Sequence, residues 1–561
     1  MTDNLADRVR HWIAQDPDPD SRKELQQLLD ALPGTETELA DRFSGPLTFG
    51  TAGLRGPLRA GPNGMNLAVV RQAAAGLVTW LTRQEPGGLL VIGYDARRGS
   101  HEFAQETARV ATGAGMRAAL LPRPLPTPVL AYAVRTMDAV AGVMVTASHN
   151  PPQDNGYKVY LGEHLGGPLG AGAQIVPPAD QEIEHEIRNV KLLSQVPLGH
   201  PGTVLDDEIV ESYLAAAATV VQEDQPGARD LSVAYTPLHG VGGKVLGDAF
   251  LRAGFAIPAT VPAQAEPDGA FPTVSFPNPE EPGAMDLVLA LAAERRADIA
   301  IANDPDADRC AVAVPAPNGN GNGWRMLRGD EVGVLLADHL MRLGRTGTYA
   351  TTIVSSSLLR AMAAKRGFGY AETLTGFKWL SRAAPDLAFG YEEALGICVA
   401  PGMVRDKDGI TAALLVAELA AGLKAELRTL TDRLDDLANE FGLYVTDQLS
   451  VRVDDLAEID QMMARLRAKL PSSLLDEPVT STEDLLDRPG ELNADVIILR
   501  TETARVVVRP SGTEPKLKAY LEVVEQVSEG DVAAARERAA ATIRALRTEV
   551  AAALGIWSVS P

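Results

Sequence analysis

Cysteine is scarce in this chain of 561 residues, which contains only Cys310 and Cys398. The two do not form a C-x-x-C pair, so the sequence supports neither a disulfide framework nor a thiolate zinc site and favours a reducing compartment. Long apolar runs are also missing, since no stretch reaches the roughly 18 residues of a membrane-spanning helix. The N-terminus lacks the apolar core and cleavage site of a signal peptide. We therefore expect a cytoplasmic protein with no membrane contact.

Positive charge is in the minority. Lysine and arginine number 52 against 74 aspartates and glutamates, which gives a formal net charge of −22. Such a chain has no basic field to displace counterions, so nonspecific nucleic-acid binding is disfavoured. An anionic small molecule can still bind where cations are concentrated in a cleft. The G-x-x-x-x-G-K-[ST] phosphate loop is absent too, which argues against an ordinary nucleoside-triphosphate kinase.

What remains is the composition of a soluble globular protein, with 45% hydrophobic and 22% charged residues. The length favours three to five domains of roughly 150 residues each. An apolar run at 89–93 is followed by helical periodicity at 101–115 and then by apolar runs at 117–121 and 139–145. This alternation of strand and helix patterns predicts a mostly parallel α/β sheet. The Gly/Pro-rich stretch 161–178 predicts a long surface loop. The final quarter of the chain is richer in strand patterns and predicts an α+β unit.

The apolar run 139–145 ends abruptly in the segment TASHNP, residues 146–151. A serine in such a turn lies just past the carboxyl end of a strand, where α/β sheets present their chemistry, and it can carry a phosphate as a nucleophile. The alternative is that Ser148 and Asn150 only shape or cap the turn. The six residues by themselves favour the structural alternative.

Three aspartates, Asp304, Asp306 and Asp308, alternate directly after a strand predicted at 296–302. Their carboxylates can converge on one hard cation, and three oxygen ligands suit Mg²⁺. An EF-hand calcium loop is ruled out because Arg309 stands where that loop needs glycine. A solvated acidic turn is the alternative, but carboxylates this close repel one another unless a cation lies between them.

Two further loops carry groups that bind phosphates and sugars. The segment RPSGT (509–513) combines an arginine, two hydroxyls and the amides around a glycine, which can hold a phosphate; a plain hairpin loop is the alternative. The paired glutamates of YEEALG (391–396) can accept hydrogen bonds from sugar hydroxyls. The lysine of TGFKW (375–379) lies beside aromatic residues, where packing is the ordinary explanation.

Four of these segments occur in the order found in the α-D-phosphohexomutase superfamily, which the chain resembles over about residues 45–525: TASHNP, the aspartate segment 304–309, the Glu392–Glu393 loop and RPSGT. The segments GTAGLRG (50–56) and YEEALG, with the N-terminal helical extension, are similar to the branch that includes phosphoglucomutase-2/phosphopentomutase and bacterial phosphoglucomutase/phosphomannomutase proteins. The resemblance implies an α/β fold of four domains around a central cleft, three similar mixed α/β domains plus a C-terminal α+β domain. The expected domains are an N-terminal helical extension with a phosphoserine domain (1–205), a metal-binding domain (206–325), a sugar-binding domain (326–441) and a C-terminal phosphate-binding domain (442–561).

In such enzymes a phosphoserine donates its phosphoryl group to a sugar monophosphate and is refilled from the resulting bisphosphate. The resemblance assigns this role to Ser148. The phosphoserine would complete the shell of one Mg²⁺ per subunit, with a sugar 1,6-bisphosphate as activator; the other metal ligands would be Asp304, Asp306 and Asp308. The implied acid–base candidates, which the sequence does not rank, are Ser148's neighbour His149, Lys158, Arg55 and Lys378. The implied substrate ligands are Arg309, Gly376, Glu392, Glu393, Arg509, Ser511, Gly512 and Thr513.

Two departures from the family pattern concern the sugar. Ala394 stands where many hexomutases have a serine, and Phe377 replaces the histidine of phosphomannomutase/phosphoglucomutase enzymes. We expect an isomerase that moves a phosphate between the 1 and 6 positions of glucose or mannose. A phosphopentomutase, a sugar 1,6-bisphosphate synthase and a non-catalytic phosphosugar-binding protein are the alternatives. The oligomeric state is not indicated.

Overall fold

A computed structural model describes residues 2–50, 53–222, 229–316, 323–453, 455–488, 493–511, 516–528 and 530–556. The chain divides into two compact units. The first unit comprises Met1–Leu327 and Gly396–Glu426, and the second comprises Arg328–Leu395 and Leu427–Pro561. In the ranges just given, no helix has both the length and the apolar character that crossing a membrane requires.

The first sheet has seven strands in the order β1-β5-β4-β2-β3-β7, with β6 beside β5. The elements up to this point are α1 (Thr2–Gln15), α2 (Pro19–Asp30), α3 (Glu36–Arg42), β1 (Leu54–Pro57), α4 (Leu67–Gln84), β2 (Leu89–Tyr94), α5 (Ser100–Gly113), β3 (Arg117–Leu120), α6 (Thr127–Thr136), β4 (Ala141–Val145), β5 (Asp154–Leu161), α7 (Glu163–Gly170), β6 (Ala173–Gln174), α8 (Ala179–Asn189) and β7 (Thr203–Val204). Strands β2, β3, β4 and β7 are parallel, whereas β5 is antiparallel to β4 and β1. Every residue of β4 is buried, because helices cover both faces of a parallel sheet.

The prediction of a long surface loop at 161–178 was wrong. That stretch contains α7 and β6, and β6 pairs with the end of β5. Its glycines provide the breaks between these elements, since Gly167 and Gly172 both have positive φ. Strand β5 was not predicted either, because it begins with polar turn-type residues and is buried almost throughout, which removes the alternation that marks a strand. The Gly/Asn-rich segment 316–323, whose composition predicts a hairpin turn, lies largely outside the described residues.

The second sheet has the order β12-β11-β10-β8-β9. Its elements are α9 (Glu208–Ala218), β8 (Val233–Thr236), α10 (Gly242–Arg252), β9 (Ala259–Thr260), α11 (Asp286–Arg295), β10 (Ile299–Ala302), β11 (Ala311–Pro315) and β12 (Trp324–Met326). Strands β8, β9 and β10 are parallel, and β11 is antiparallel to both of its neighbours. Strand β10 is fully buried and ends directly before the three alternating aspartates.

A third group of elements begins the second unit. It contains α12 (Gly329–Arg342), β13 (Thr348–Thr352), α13 (Leu358–Arg366), β14 (Gly369–Thr373), α14 (Phe377–Leu380) and β15 (Leu387–Glu392), and the chain then returns to the first unit with β16 (Gly396–Cys398) and α15 (Gly409–Ala425). Strands β14, β13 and β15 are adjacent and parallel. Their carboxyl ends therefore share one edge of the sheet.

The last sheet is antiparallel, in the order β17-β23-β22-β21-β20. Its elements are α16 (Leu430–Phe441), β17 (Leu443–Arg452), α17 (Leu456–Ala468), β18 (Ser473–Leu474), β19 (Glu477–Pro478), β20 (Ser481–Asp484), β21 (Ile497–Arg500), β22 (Ala504–Pro510), β23 (Lys516–Glu525) and α18 (Val532–Leu554). Apolar residues of α18, such as Ile543 and Leu546, form one core with the strands. Three α/β units followed by a C-terminal α+β unit confirm the predicted fold class.

A buried carboxylate at the start of α12 makes the stability of the second unit depend on pH. Asp330 Oδ1 accepts hydrogen bonds from the Ser356 amide at 2.7 Å and the Tyr391 hydroxyl at 3.3 Å, and Oδ2 accepts one from Thr446 at 3.0 Å. Burial raises the pKa of Asp330 to about 6. The folded state therefore favours the protonated acid, and the stability that this group contributes is complete below about pH 4 and is lost as the pH rises through 6.

We expect Asp330→Asn to become more stable relative to wild type as the pH rises from 4 to 7. The amide keeps the accepting oxygen and carries no charge, so the relative gain is about 2–3 kcal/mol. Urea unfolding at pH 4, 5, 6 and 7 measures it, with Asp476→Asn, at an exposed position, as the control. A constant difference between variant and wild type across this range would contradict the assignment.

Candidate functional site

The turn after β4 holds Ser148 in an uncommon backbone conformation. Its φ of 51° lies in the left-handed region, which few residues other than glycine adopt. The Ser148 amide donates a hydrogen bond to Thr146 Oγ1 at 2.9 Å, and that hydroxyl in turn donates to Asp95 Oδ2 at 2.7 Å. The turn is therefore fixed from beneath by a buried carboxylate at the end of β2.

The Ser148 side chain points at the aspartate loop of the second sheet. Its Oγ donates to Asp304 Oδ2 at 2.8 Å and lies 3.2 Å from His149 Nδ1. Burial, with the nearby cations of Arg309 and Arg55, holds the pKa of His149 well below its usual value. The imidazole is thus neutral at neutral pH and can accept a proton from the serine.

The three predicted metal ligands converge. Asp304, Asp306 and Asp308 are fully buried, and each offers an oxygen within 4.8 Å of the others. Burial and the other two carboxylates raise the pKa of Asp304 well above its usual value. Burial alone would also raise the pKa of Asp306, but the ammonium group of Lys158 outweighs it and lowers that pKa below the usual range.

Unpaired oxygens in this cluster fit a bound cation. Asp306 Oδ1 and Asp308 Oδ1 are buried without a hydrogen-bond partner among the described residues. A buried carboxylate oxygen left unpaired is costly, so such atoms call for a ligand. The donors are all hard oxygens, as Mg²⁺ and Ca²⁺ prefer. The residues present therefore fit a hard divalent cation.

Lys158 and Arg55 lie on neighbouring strands of the first sheet, and their side chains contact this site. Lys158 lies on β5 opposite Met144 of β4, and its Nζ donates to Asp306 Oδ2 at 2.7 Å and Asp308 Oδ2 at 3.1 Å. Arg55 lies on β1, the next strand, and its Nη1 donates to Asn150 Oδ1 at 2.9 Å in the serine turn. The strand order β1-β5-β4 thus brings together residues that are far apart in sequence.

Arg309 closes the other side of the aspartate loop. Its Nε lies 3.7 Å from Asp304 Oδ2 and 3.8 Å from Asp308 Oδ1. The backbone at Gly409 packs directly against this loop, since a Cβ on Gly409 would lie 2.2 Å from the Arg309 carbonyl oxygen. Only glycine fits at that position.

Sequence reasoning missed the segment just before α15. Lys407 is buried, with Nζ 3.4 Å from Asp308 Oδ2, and Asp408 caps the helix by accepting bonds from the amides of Ile410 and Thr411. A usable signal was present, since four charged residues in a row, 405–408, precede a glycine and an almost wholly apolar helix. So concentrated a charged run before a buried helix indicates a buried polar site.

The other predicted residues belong to the second unit. Glu392 is the last residue of β15 and Glu393 follows it, and Glu393 Oε2 accepts hydrogen bonds from Ser355 Oγ at 3.2 Å and Thr352 Oγ1 at 3.3 Å. Gly376 and the buried Lys378 follow β14. All four therefore lie at the carboxyl edge of the parallel strands β14, β13 and β15.

The phosphate loop predicted at 509–513 is described only in part. Arg509 pairs in register with Lys518 on β23, and the Ser511 amide donates to the Lys516 carbonyl at 2.8 Å. This places three cationic side chains on the two strands that flank the loop. Gly512 and Thr513 lie outside the described residues.

Comparison with known proteins identifies four family domains in order. The phosphoglucomutase/phosphomannomutase models for α/β/α domains I, II and III match residues 46–193, 211–319 and 328–441, and the model for the C-terminal domain matches 449–539. Together they span most of the chain.

Individual relatives carry related names. A Haemophilus influenzae protein named a probable phosphomannomutase is 46% identical over 82% of this chain and 93% of its own length. The mouse phosphopentomutase is 33% identical over 93% of this chain and 91% of its own length. The Saccharomyces cerevisiae phosphoribomutase is 34% identical over 92% of each chain. A Thermus thermophilus crystal structure, provisionally named phosphomannomutase, superposes with a TM-score of 0.71 at 25% identity, over 90% of this chain and 99% of that one.

Asp306→Ala should abolish any stabilisation of the protein by an added hard divalent cation such as Mg²⁺, because it removes one of the three converging carboxylates and leaves Lys158 paired with Asp308 alone. A cation at 100 times its Kd stabilises the wild-type fold by about 2.7 kcal/mol, seen as a rise in the thermal midpoint. Thermal scans in EDTA and at increasing Mg²⁺ measure it, with Asp286→Ala, an exposed residue on α11, as the control. Equal Mg²⁺-dependent rises in Asp306→Ala and wild type would remove this residue from the site.

Proposed function

Because the chain belongs to the phosphoglucomutase/phosphomannomutase family, whose members are phosphotransferase isomerases, we propose that it is a Mg²⁺-dependent mutase that moves a phosphate between the 1 and 6 positions of a hexose. The observation that carries the proposal is the 2.8 Å bond from Ser148 Oγ to Asp304, one of three fully buried carboxylates with unpaired oxygens nearby. A hydroxyl held against such a cluster suits a phosphate that shares a cation with it.

In the proposed reaction Ser148 stores the phosphoryl group. A hydroxyl of the sugar monophosphate attacks the phosphoserine phosphorus and gives its proton to a nearby base, while the bond from phosphorus to Ser148 Oγ breaks and that oxygen takes up a proton. The resulting bisphosphate turns round, and Ser148 Oγ attacks its other phosphorus and gives its proton to a base. The bond from that phosphorus to the sugar oxygen breaks, the sugar oxygen is protonated, and the product leaves with the phosphoserine restored. Asp304, Asp306, Asp308 and the phosphoserine would hold the cation, which would neutralise charge on the transferring group.

We propose different roles for the acid–base candidates His149 and Lys158, and their surroundings support this division. His149 is neutral and its Nδ1 lies 3.2 Å from Ser148 Oγ, which suits a base for the serine proton. Burial alone would lower the pKa of Lys158, but Asp306 and Asp308 outweigh it and raise that pKa, so the lysine stays charged. We assign Lys158, with Arg55, to the stabilisation of negative charge, and Lys407 to the same role.

The proposed contacts to the rest of the substrate rest on the family resemblance. Glu392 and Glu393 would accept bonds from sugar hydroxyls, and Lys378 and Gly376 lie at the same sheet edge. The non-reacting phosphate would be held by Arg509, Ser511, Gly512 and Thr513. A sugar 1,6-bisphosphate is the proposed activator, since it restores the phosphoserine whenever the intermediate escapes. The family matches support assigning the phosphoserine to residues 1–205, the metal to 206–325, the sugar to 326–441 and the phosphate to 442–561.

A pentose phosphate is the second candidate substrate. Phosphopentomutase and phosphoribomutase relatives align over more than nine-tenths of this chain. Ala394 lacks the hydroxyl that many hexomutases place beside the sugar, which reduces the polar contacts available there. A glucose 1,6-bisphosphate synthase from Homo sapiens, 31% identical over 96% of the chain, supports a third reading in which the bisphosphate is the product.

Ser148→Ala should lower mutase activity by about 10⁴-fold or more, because no other group can store the phosphoryl. A coupled assay with glucose 1-phosphate measures turnover, and intact-mass spectrometry after incubation with glucose 1,6-bisphosphate measures phosphoenzyme. The control is Ser44→Ala, at an exposed position in the same unit. Near wild-type turnover by Ser148→Ala would refute the mechanism.

The substrate is tested by kcat/KM for glucose, mannose, ribose and deoxyribose 1-phosphates, with catalytic traces of the matching bisphosphate. We expect a hexose phosphate to give the highest value. A pentose maximum would replace the leading assignment by the second candidate. Turnover that consumes a stoichiometric phosphoryl donor and releases bisphosphate would identify a synthase.

A further inference from the structure

A buried arginine lies directly behind the serine turn. Arg97, in the loop between β2 and α5, is 3% exposed. Its Nη2 donates to the carbonyl oxygens of Ser148 and Asn150, both at 2.6 Å. Its Nη1 donates to the carbonyl oxygens of Pro151 at 2.8 Å and Asp154 at 3.1 Å. One side chain thus binds four carbonyls of the segment that carries the serine.

The other faces of the guanidinium are occupied as well. Its Nε lies 3.4 Å from Asp95 Oδ2, and the Phe271 ring from the second sheet's domain stacks on it with its centroid 4.9 Å away. The backbone at Gly269 comes so close that a Cβ there would lie 2.6 Å from the Ala96 carbonyl oxygen. Arg97 therefore cannot turn toward solvent or a substrate phosphate.

The contacts of Arg97 explain how the turn keeps its conformation. Ser148 has a positive φ, which costs on the order of 1 kcal/mol or more and persists only where the surroundings impose it. Arg97 binds the Ser148 carbonyl, while its partner Asp95 accepts the hydroxyl of Thr146, which holds the Ser148 amide. The Asp95–Arg97 ion pair thus fixes both peptide groups of Ser148, the carbonyl directly and the amide through Thr146.

We propose that Arg97 is a positioning residue that holds the Ser148 turn in the geometry required for phosphoryl transfer, an inference that rests on the proposed mutase function. Lysine cannot replace it, because a single ammonium group has no planar fork to bind four carbonyls at once. Because the Arg97 guanidinium is buried and bound to carbonyls of the turn, we expect its loss to affect the chemical step and to leave substrate binding largely intact.

The test compares Arg97→Lys with Arg98→Lys, the exposed neighbour, as the matched control. We expect kcat of Arg97→Lys to fall on the order of 100-fold with KM within about threefold of wild type, because displacement of a reacting group costs about that much in rate. Hydrogen exchange followed by mass spectrometry should show faster exchange in peptides covering residues 145–156 of Arg97→Lys only. Thermal scans establish that both variants fold.

A second variant keeps the test decisive. In Arg97→Ala, millimolar guanidinium should restore part of kcat by refilling the site, whereas ammonium at the same concentration should not. A change in KM with kcat unchanged, or unaltered exchange at 145–156, would overturn the proposal. Failure of the mutase proposal is distinguishable, since wild type would then lack turnover while the exchange difference between variants would still report on the turn.

Discussion

Three aspartates buried together at the end of β10 are the constraint on which the first unit depends. Fully buried like charges cannot remain ionised side by side without compensation. The chain meets this requirement from every direction: Lys158 from β5, Arg309 from the loop itself and Lys407 from the segment before α15 all lie within ion-pair distance. Two carboxylate oxygens, Asp306 Oδ1 and Asp308 Oδ1, still accept no hydrogen bond from the described residues, which is why the cluster suits a cation.

A buried pair of opposite charges also fixes the turn that carries Ser148. Asp95 and Arg97 form a second, smaller cluster whose purpose is backbone geometry, since their partners are a hydroxyl and carbonyl oxygens of the turn. The two clusters meet at Ser148, whose backbone is held by one and whose hydroxyl is held by the other. The proposed role of Ser148 would need both clusters, because a serine that carries a phosphoryl group must hold its oxygen in the same position in every reaction cycle.

The second unit uses a comparable network for the glutamates that would read the sugar. The buried Glu522 on β23 accepts bonds from both hydroxyls of Ser356 and Ser357, and Arg505 pairs with it at 3.3 Å. Arg505 also donates to the Ser355 carbonyl, and the Ser355 hydroxyl binds Glu393. The last sheet therefore supports the turn against which Glu393 rests, so the proposed sugar loop depends on packing contributed by the C-terminal domain.

The sequence by itself predicted the fold class, the order of the motifs and the convergence of Asp304, Asp306 and Asp308, because strand ends and alternating carboxylates are local patterns. The residues around Ser148 favoured a structural turn, and its proposed role came from the resemblance to a known family. The sequence did not reveal β5, Lys407 or Arg97. Strand β5 is buried on both faces and shows no alternation, and the two basic residues look like ordinary charged loop positions. Their roles come from strand order and from the packing of segments that are distant in sequence, such as Arg97 and Ser148, 51 residues apart, or Lys158 and Asp306, 148 residues apart. Only the tertiary structure decided which charges share a site, because burial and proximity, which set the pKa values and the backbone geometry, are properties of packing.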